Sequence, residues 1–256
     1  MFMIDMHLDS AKLMRFAHMQ GHPLTPDEDF GYATHAWLAA SLGDLAPQPF
    51  RLIERPDGLH LLGYAQHDAG ELCEHAQTFA EPIATNVCNW SSVASKLMPA
   101  GWKTGVRLGF ETRVCPVSRR IRERDVFLSA LERAKENGVA PPNREKVYLD
   151  WLVQRMRAAK KPGGSFLDVM GQTHPPVVEL SPKRLAIVGF RRLKVLRRCK
   201  VKGHSKQRGI ERPDVIFSGE LVVRRPKEFG ELLKRGIGRH RAFGFGMLLL
   251  RPPASL

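Results

Sequence analysis

Hydrophobic and polar positions along the chain change period repeatedly, and the changes mark out two similar series of elements. Met1–Leu8 is apolar but for a few positions such as Asp5, and residues 1–9 read as a β-strand. Thr25-Pro26-Asp27-Glu28 then combines an N-cap residue, proline at the first helical position and glutamate at N3, which is a capping box. The helix it opens is expected to reach Leu42, where Gly43 stops it. Phe30, Ala33 and Trp37 supply its apolar stripe, and Tyr32 and His35 point away from that stripe. Phe50–Glu54 and Leu59–Ala65 read as strands joined around Pro56-Asp57-Gly58, a hairpin signal. A short helix near Ala69–Phe79 and a strand near Pro82–Cys88 complete a βαββαβ order.

The order recurs with longer connections. Gly105–Val114 alternates as a strand, and Asn143–Ala158 reads as a helix with Val147, Trp151, Leu152 and Met156 on one face. Leu185–Leu196 and Val215–Val223 read as strands flanking a basic connection, and Pro226–Arg235 as a helix. A glycine-rich turn then leads into a strand at Phe245–Leu250. Two such series predict an α+β protein built from two tandem ferredoxin-like (RRM-like) domains, residues 1–93 and 94–256, joined where the charge changes sign.

That change of sign is large. The net charge is +14, yet residues 1–93 hold 4 Lys and Arg against 12 Asp and Glu, and residues 94–256 hold 36 against 14. Segregation on this scale predicts a polyanionic partner for the second part. Nucleic acid is favoured over an acidic membrane surface, because no lipid-facing amphipathic helix stands out. No apolar run approaches the roughly 18 residues of a membrane span. Asp5 and the absence of a basic start argue against a signal peptide, so a cytoplasmic protein is expected. Cys73, Cys88, Cys115 and Cys199 have neither CxxC spacing nor histidines at metal-ligand intervals, and are expected to be reduced, buried thiols. Acids in the second half are scarce and do not cluster with histidines, so neither a metal nor another cofactor is expected.

Three features could carry chemistry. The first is Gly236-Ile-Gly238-Arg239-His240-Arg241-Ala-Phe-Gly244-Phe-Gly246, whose glycines admit positive φ and close backbone approach and whose cations suit phosphate oxygens. It follows a helix and precedes a strand, the reverse of a dinucleotide-binding turn. A plain glycine-rich turn with exposed charges is the alternative. The second is the block Lys183–Arg212, with 12 Lys and Arg and one acid, Glu211. Arg191, Arg192, Lys194, Arg197, Arg198, Lys200, Lys202, Lys206 and Arg208 repel one another unless a polyanion intervenes. Alternation puts Arg192, Lys194 and Arg198 on one strand face, and the remainder is expected to be a mobile loop clamping RNA; a solvated face is the alternative. Arg119, Arg120, Arg122 and Arg124 extend this patch or are ordinary surface residues. The third is Tyr32-Ala-Thr-His35, at i and i+3 of one helix, carrying an imidazole whose ordinary pKa of about 6.5 suits proton transfer. Most helical histidines off the core stripe are simply exposed.

Together these residues resemble the CRISPR repeat-processing endoribonucleases of the CasE-like branch. The resemblance rests on the helix with Tyr32-x-x-His35 behind an N-terminal strand, on Gly105-Val-Arg-Leu-Gly-Phe-Glu-Thr-Arg113, on Val147-Tyr-Leu-Asp-Trp-Leu152, and most specifically on Arg235-Gly-Ile-Gly-Arg-His-Arg-Ala-Phe-Gly-Phe-Gly-Met-Leu-Leu249. It implies two ferredoxin-like domains, binding of the stem-loop in CRISPR repeat RNA, and metal-free cleavage at the 3′ base of that stem. It also implies retention of the mature guide RNA in an effector complex with other protein subunits. His35 would be the general acid/base with Tyr32 beside it at the scissile phosphate. The loop with Gly236, Gly238, His240, Gly244 and Gly246 would support the RNA. Arg241, Arg239 or Arg15 would stabilise the transition state. Two departures, Ala39-Ala40 where the family usually has an aromatic and a long basic connection at 191–212, point to a divergent member of a type IV rather than a type I system. A non-catalytic RNA-binding subunit and a duplex-DNA-binding module compete with this reading.

Overall fold

Alternation along β1 (Phe2–Leu8) sends Ile4, Met6 and Leu8 to one face, where they are buried. The computed structural model describes residues 1–21, 30–119, 123–157, 175–201 and 204–254, with the backbone alone between 194 and 210. The expected capping box at Thr25–Glu28 lies outside the described residues. Asp9 caps α1 (Ser10–Met19) by accepting from the Lys12 amide at 3.0 Å. Leu13, Phe16 and Ala17 form the buried stripe of α1. The reading of the sequence missed this helix, although Asp9 followed by apolar residues at i, i+3 and i+4 marks it. In α2 (Gly31–Leu42) Ala33, Trp37, Leu38 and Leu42 are buried, and Gly43 ends the helix at φ 53°.

β2 (Phe50–Arg55) and β3 (Gly58–Ala65) form the anticipated hairpin, in register from Phe50↔Gly63 to Arg55↔Gly58. α3 (Ala69–Phe79) carries a complete capping box between Asp68 and Glu71. The strand expected near Pro82–Cys88 is a correction. Proline at the first helical position opens a short helix there instead, α4 (Pro82–Thr85), and Cys88 makes only an isolated bridge to Leu8. The fourth strand is β4 (Ala94–Leu97), paired with β1. The sheet runs β2-β3-β1-β4, and α1, α2 and α3 pack their apolar stripes against its buried face. Trp37 Nε1 donates to the Ala84 carbonyl at 2.8 Å and ties α4 to α2. Burial pushes the Cys88 thiol up to about 12.

The second series begins with β5 (Arg107–Val114), a small hairpin of β6 (Val117–Arg119) and β7 (Glu123–Asp125), and α5 (Val126–Glu136), a helix not anticipated. Asp125 caps α5 by accepting from the Phe127 amide at 2.8 Å, and its other oxygen accepts from the buried Tyr148 hydroxyl at 2.9 Å. α6 (Arg144–Arg157), β8 (Val178–Leu180), β9 (Ala186–Val201), β10 (His204–Val223), α7 (Pro226–Arg235) and β11 (Leu248–Arg251) follow. The sheet order β11-β5-β10-β8 places fourth, first, third and second strands side by side, as in the first sheet. Both are ferredoxin-like. Phe110, Phe217 and Leu221 of the sheet, Tyr148, Trp151, Leu152 and Met156 of α6 and Phe229, Leu232 and Leu233 of α7 are all buried.

Corrections in this half concern the basic connection and the last strand. The connection continues as strand on both sides, so β9 and β10 span 16 and 20 residues, in place of the mobile loop expected there. A ladder is built from backbone groups, which side-chain charge does not remove. The last strand is shorter than expected, because positive φ at Gly244 and Gly246 holds the chain in a turn before Leu248. At the root of the long hairpin, Arg113 Nε and Nη2 donate to the two oxygens of Asp214 at 2.8 and 2.9 Å, and Arg191 Nε donates to Asp214 at 2.7 Å. Arg113 and Asp214 are both buried.

The chain divides into two compact units: Met1–Met98 with Arg192–Arg212 and His240–Met247, and Pro99–Arg191 with Pro213–Arg239 and Leu248–Leu256. The outer part of the basic hairpin therefore belongs with the acidic N-terminal segment. The first unit holds 15 Lys and Arg against 13 Asp and Glu, the second 25 against 13. Among the described residues no helix is long and apolar enough to cross a membrane. Asp214→Ala, which strands a buried guanidinium, is expected to cost about 3–5 kcal/mol in urea denaturation. Glu179→Ala, which removes an exposed partner of Arg224, is expected to cost less than about 1 kcal/mol.

Candidate active site

Helical geometry sets Tyr32 and His35 on adjoining positions of α2, both half-buried. What orients them comes from the far end of the chain. Gly244 and Gly246 adopt φ 82° and 81°, and His240, which is not glycine, sits at φ 61°, ψ 26°. These left-handed residues fold the segment into a single 3₁₀ turn, Arg241–Phe243, closed by the Phe243 amide donating to the His240 carbonyl at 2.8 Å. Phe243 stacks on Tyr32, with ring centroids 5.9 Å apart and planes 18° from parallel. Its edge-to-face contact with His35 has a centroid distance of 5.2 Å at 81°. His240 completes the aromatic group, tilted against Phe243 at 6.1 Å and edge-on to Phe245 at 6.4 Å.

Burial lowers the pKa of His35 below the ordinary histidine value, because the desolvated imidazolium is disfavoured. The site thus offers a largely neutral imidazole beside a phenol, with the half-buried Arg241 on the same turn as Phe243. Such a group can move a proton and support charge on an adjacent oxyanion. His60 is committed elsewhere, its Nδ1 2.8 Å from Asp5 and its Nε2 3.1 Å from Asp57.

The other residues singled out by sequence fall into different places. Tyr32, His35, His240, Arg241, Gly244 and Gly246 share the first unit, together with Arg15, which is exposed on α1. Gly236, Gly238 and Arg239 belong to the second unit. Gly236 caps α7 at φ 70°. A Cβ on Gly238 would come within 3.0 Å of the Trp151 ring. Arg239 Nε donates to Glu123 at 2.6 Å, so its guanidinium already has a carboxylate. Arg191 is held by Asp214, while exposed Arg192 lies 3.8 Å from Glu211. Arg119 is exposed on β6. Lys194, Arg197, Arg198, Lys200 and Arg208 lie on β9 and β10, with their side chains outside what is described. Arg120 and Lys202 lie outside the described residues altogether. The residue that sequence reading passed over is Phe243, quoted within the glycine-rich motif but given no role. An aromatic flanked by glycines in a polar loop was the available signal.

The family model for CRISPR associated protein matches residues 1–252. The chain belongs to that CRISPR-associated family. Its fold is that of the CRISPR endoribonuclease Cse3 bound to a 19-nucleotide RNA, with a TM-score of 0.56 at 19% identity over 98% of this chain and 100% of that one. Cse3 of Thermus thermophilus, bound to an RNA representing a pre-cleavage complex, superposes with a TM-score of 0.57 at 17% identity over 98% of both chains. A CRISPR-associated protein from Thermus thermophilus gives 0.53 at 17% identity over 98% of this chain and 100% of that one. No curated protein compared with the chain matches it significantly in sequence. In this family member Gly244→Ala, placing a Cβ at φ 82°, is expected to lower stability by about 1–2 kcal/mol in thermal denaturation. His240→Gly relieves an existing left-handed residue but removes the ring packed on Phe243 and Phe245, so it is expected to cost less than Gly244→Ala in the same measurement.

Proposed function

We propose that the protein is a metal-independent endoribonuclease that binds the stem-loop of CRISPR repeat RNA and cuts at the 3′ base of the stem. In this reading it then stays on the mature guide RNA within a complex of other CRISPR-associated subunits. Residues 1–93 carry the catalytic helix and residues 94–256 the basic RNA-binding surface. The observation that carries the reading is the Tyr32–His35 pair held against Phe243 of the glycine-rich loop. Family membership and the shared fold of RNA-bound Cse3 support it.

The nucleophile is the RNA's own 2′-hydroxyl, which attacks the adjacent phosphorus in line. The P–O5′ bond breaks, leaving a 2′,3′-cyclic phosphate and a 5′-hydroxyl. Neutral His35 takes the 2′-OH proton, and the departing 5′-oxygen gains one from water. Tyr32 hydrogen-bonds the phosphate, and Arg241 offsets charge on the phosphorane. Among the described residues no group of three or more His, Cys, Asp and Glu could hold a metal ion, and this scheme uses none.

The deciding experiment incubates repeat-hairpin RNA with the protein in excess chelator and analyses the fragment ends. A cyclic phosphate is expected, and a 2′-deoxy substitution at the scissile position should leave the RNA intact. His35→Ala is expected to slow cleavage roughly 10²–10⁴-fold while RNA binding persists. Because burial lowers the His35 pKa, the wild-type rate should rise with pH through a midpoint below about 6.5 and be flat at neutrality. A divalent-metal requirement in the chemical step, or full activity of His35→Ala, would overturn the scheme. Tight binding without cleavage would favour a non-catalytic RNA-binding subunit.

A further inference from the structure

Arg144 begins α6, and its guanidinium carbon lies 4.4 Å from the ring centroid of Phe127 and 5.3 Å from that of Phe190. Among the described residues it meets no carboxylate. Arg124, Arg184, Arg224 and Arg239 each pair with a glutamate. Held against two rings, the Arg144 side chain is already ordered, and its N–H donors remain available at the edge of the guanidinium plane.

Phe190 is itself unusual. It is 44% exposed, and Val188, two residues away on the same face of β9, is 58% exposed. Phe190 also makes a tilted contact with the buried Tyr148, with ring centroids 6.1 Å apart. An ordered guanidinium beside an exposed ring on a strand is a surface prepared for a flat, anionic ligand. The unit that holds it has 25 Lys and Arg against 13 Asp and Glu, which favours an anion over an acidic-residue-poor protein partner. Planar bases on a phosphate chain satisfy both requirements at once.

The geometry points to a subsite at Arg144 and Phe190 for an unpaired nucleotide of single-stranded RNA, the base stacking on Phe190 and Arg144 donating to a phosphate. This rests on the RNA-binding reading above and extends it with residues that the Tyr32–His35 site does not use. The contact lies outside the hairpin stem, so it adds affinity only for RNA with a single-stranded flank.

The test compares binding of the full chain to repeat-hairpin RNA with no flank, with a 5′ unpaired extension and with a 3′ extension. Wild-type protein should bind one extended RNA more tightly than the bare hairpin. Phe190→Leu, which keeps an apolar side chain but removes the ring, should lose roughly 5- to 150-fold on that RNA alone. Phe190→Tyr should restore the gain. Arg144→Gln should lose affinity for the same RNA and lower the log–log salt slope by about 0.7, one phosphate of a single strand. No gain from either extension in the wild type, an undiminished gain in Phe190→Leu, or an equal loss on bare and extended RNA each overturns the subsite. So does a Phe190→Leu protein that keeps the gain but loses a co-purifying subunit, which would make the patch a protein contact. If wild-type protein binds no RNA, the functional reading falls and takes the subsite with it.

Discussion

Phe243 stacks on Tyr32 and meets His35 nearly at a right angle, and the candidate chemistry depends on that double contact. A helix alone fixes only which residues are neighbours, since Tyr and His side chains three positions apart still turn about χ1 and χ2. A ring packed against both narrows those rotations, and burial of the imidazole lowers the His35 pKa. Delivering Phe243 to α2 requires the chain to reverse tightly, and it does so with His240, Gly244 and Gly246 in left-handed conformations. Strain accepted at His240 is thus coupled to order at His35.

Among the described residues, arginines are oriented by two kinds of partner that composition does not distinguish. Arg113, Arg184, Arg191, Arg224 and Arg239 are tied to carboxylates and organise the protein itself. Arg144 is oriented by aromatic rings instead. Net charge describes the field that attracts a polyanion from a distance, whereas the pairing pattern decides which side chains meet it.

Local signals were legible in the sequence. The hairpin at Pro56-Asp57-Gly58, the helices at 69–79 and 226–235, the stop at Gly43 and the face shared by Tyr32 and His35 all depend on residues within a few positions of each other. Long-range partners were not legible. Arg239 meets Glu123, 116 positions away, and Phe243 meets residues over 200 positions earlier; no periodicity encodes either contact. Pro82–Cys88 shows a subtler limit, because a short apolar stretch fits strand and helix equally, and proline at the first helical position decides it. The division into units was hidden for a related reason. The hairpin's outer part is contiguous in sequence with one series of elements and packs in the unit of the other.

The Arg113–Asp214–Arg191 group has a consequence for how the long hairpin responds to its surroundings. Its carboxylate is withdrawn from solvent, so mobile ions reach it poorly, whereas an exposed pair such as Arg224–Glu179 is shielded within about 8–10 Å at ordinary ionic strength. Rising salt therefore weakens such surface pairs long before it loosens the buried root of the hairpin.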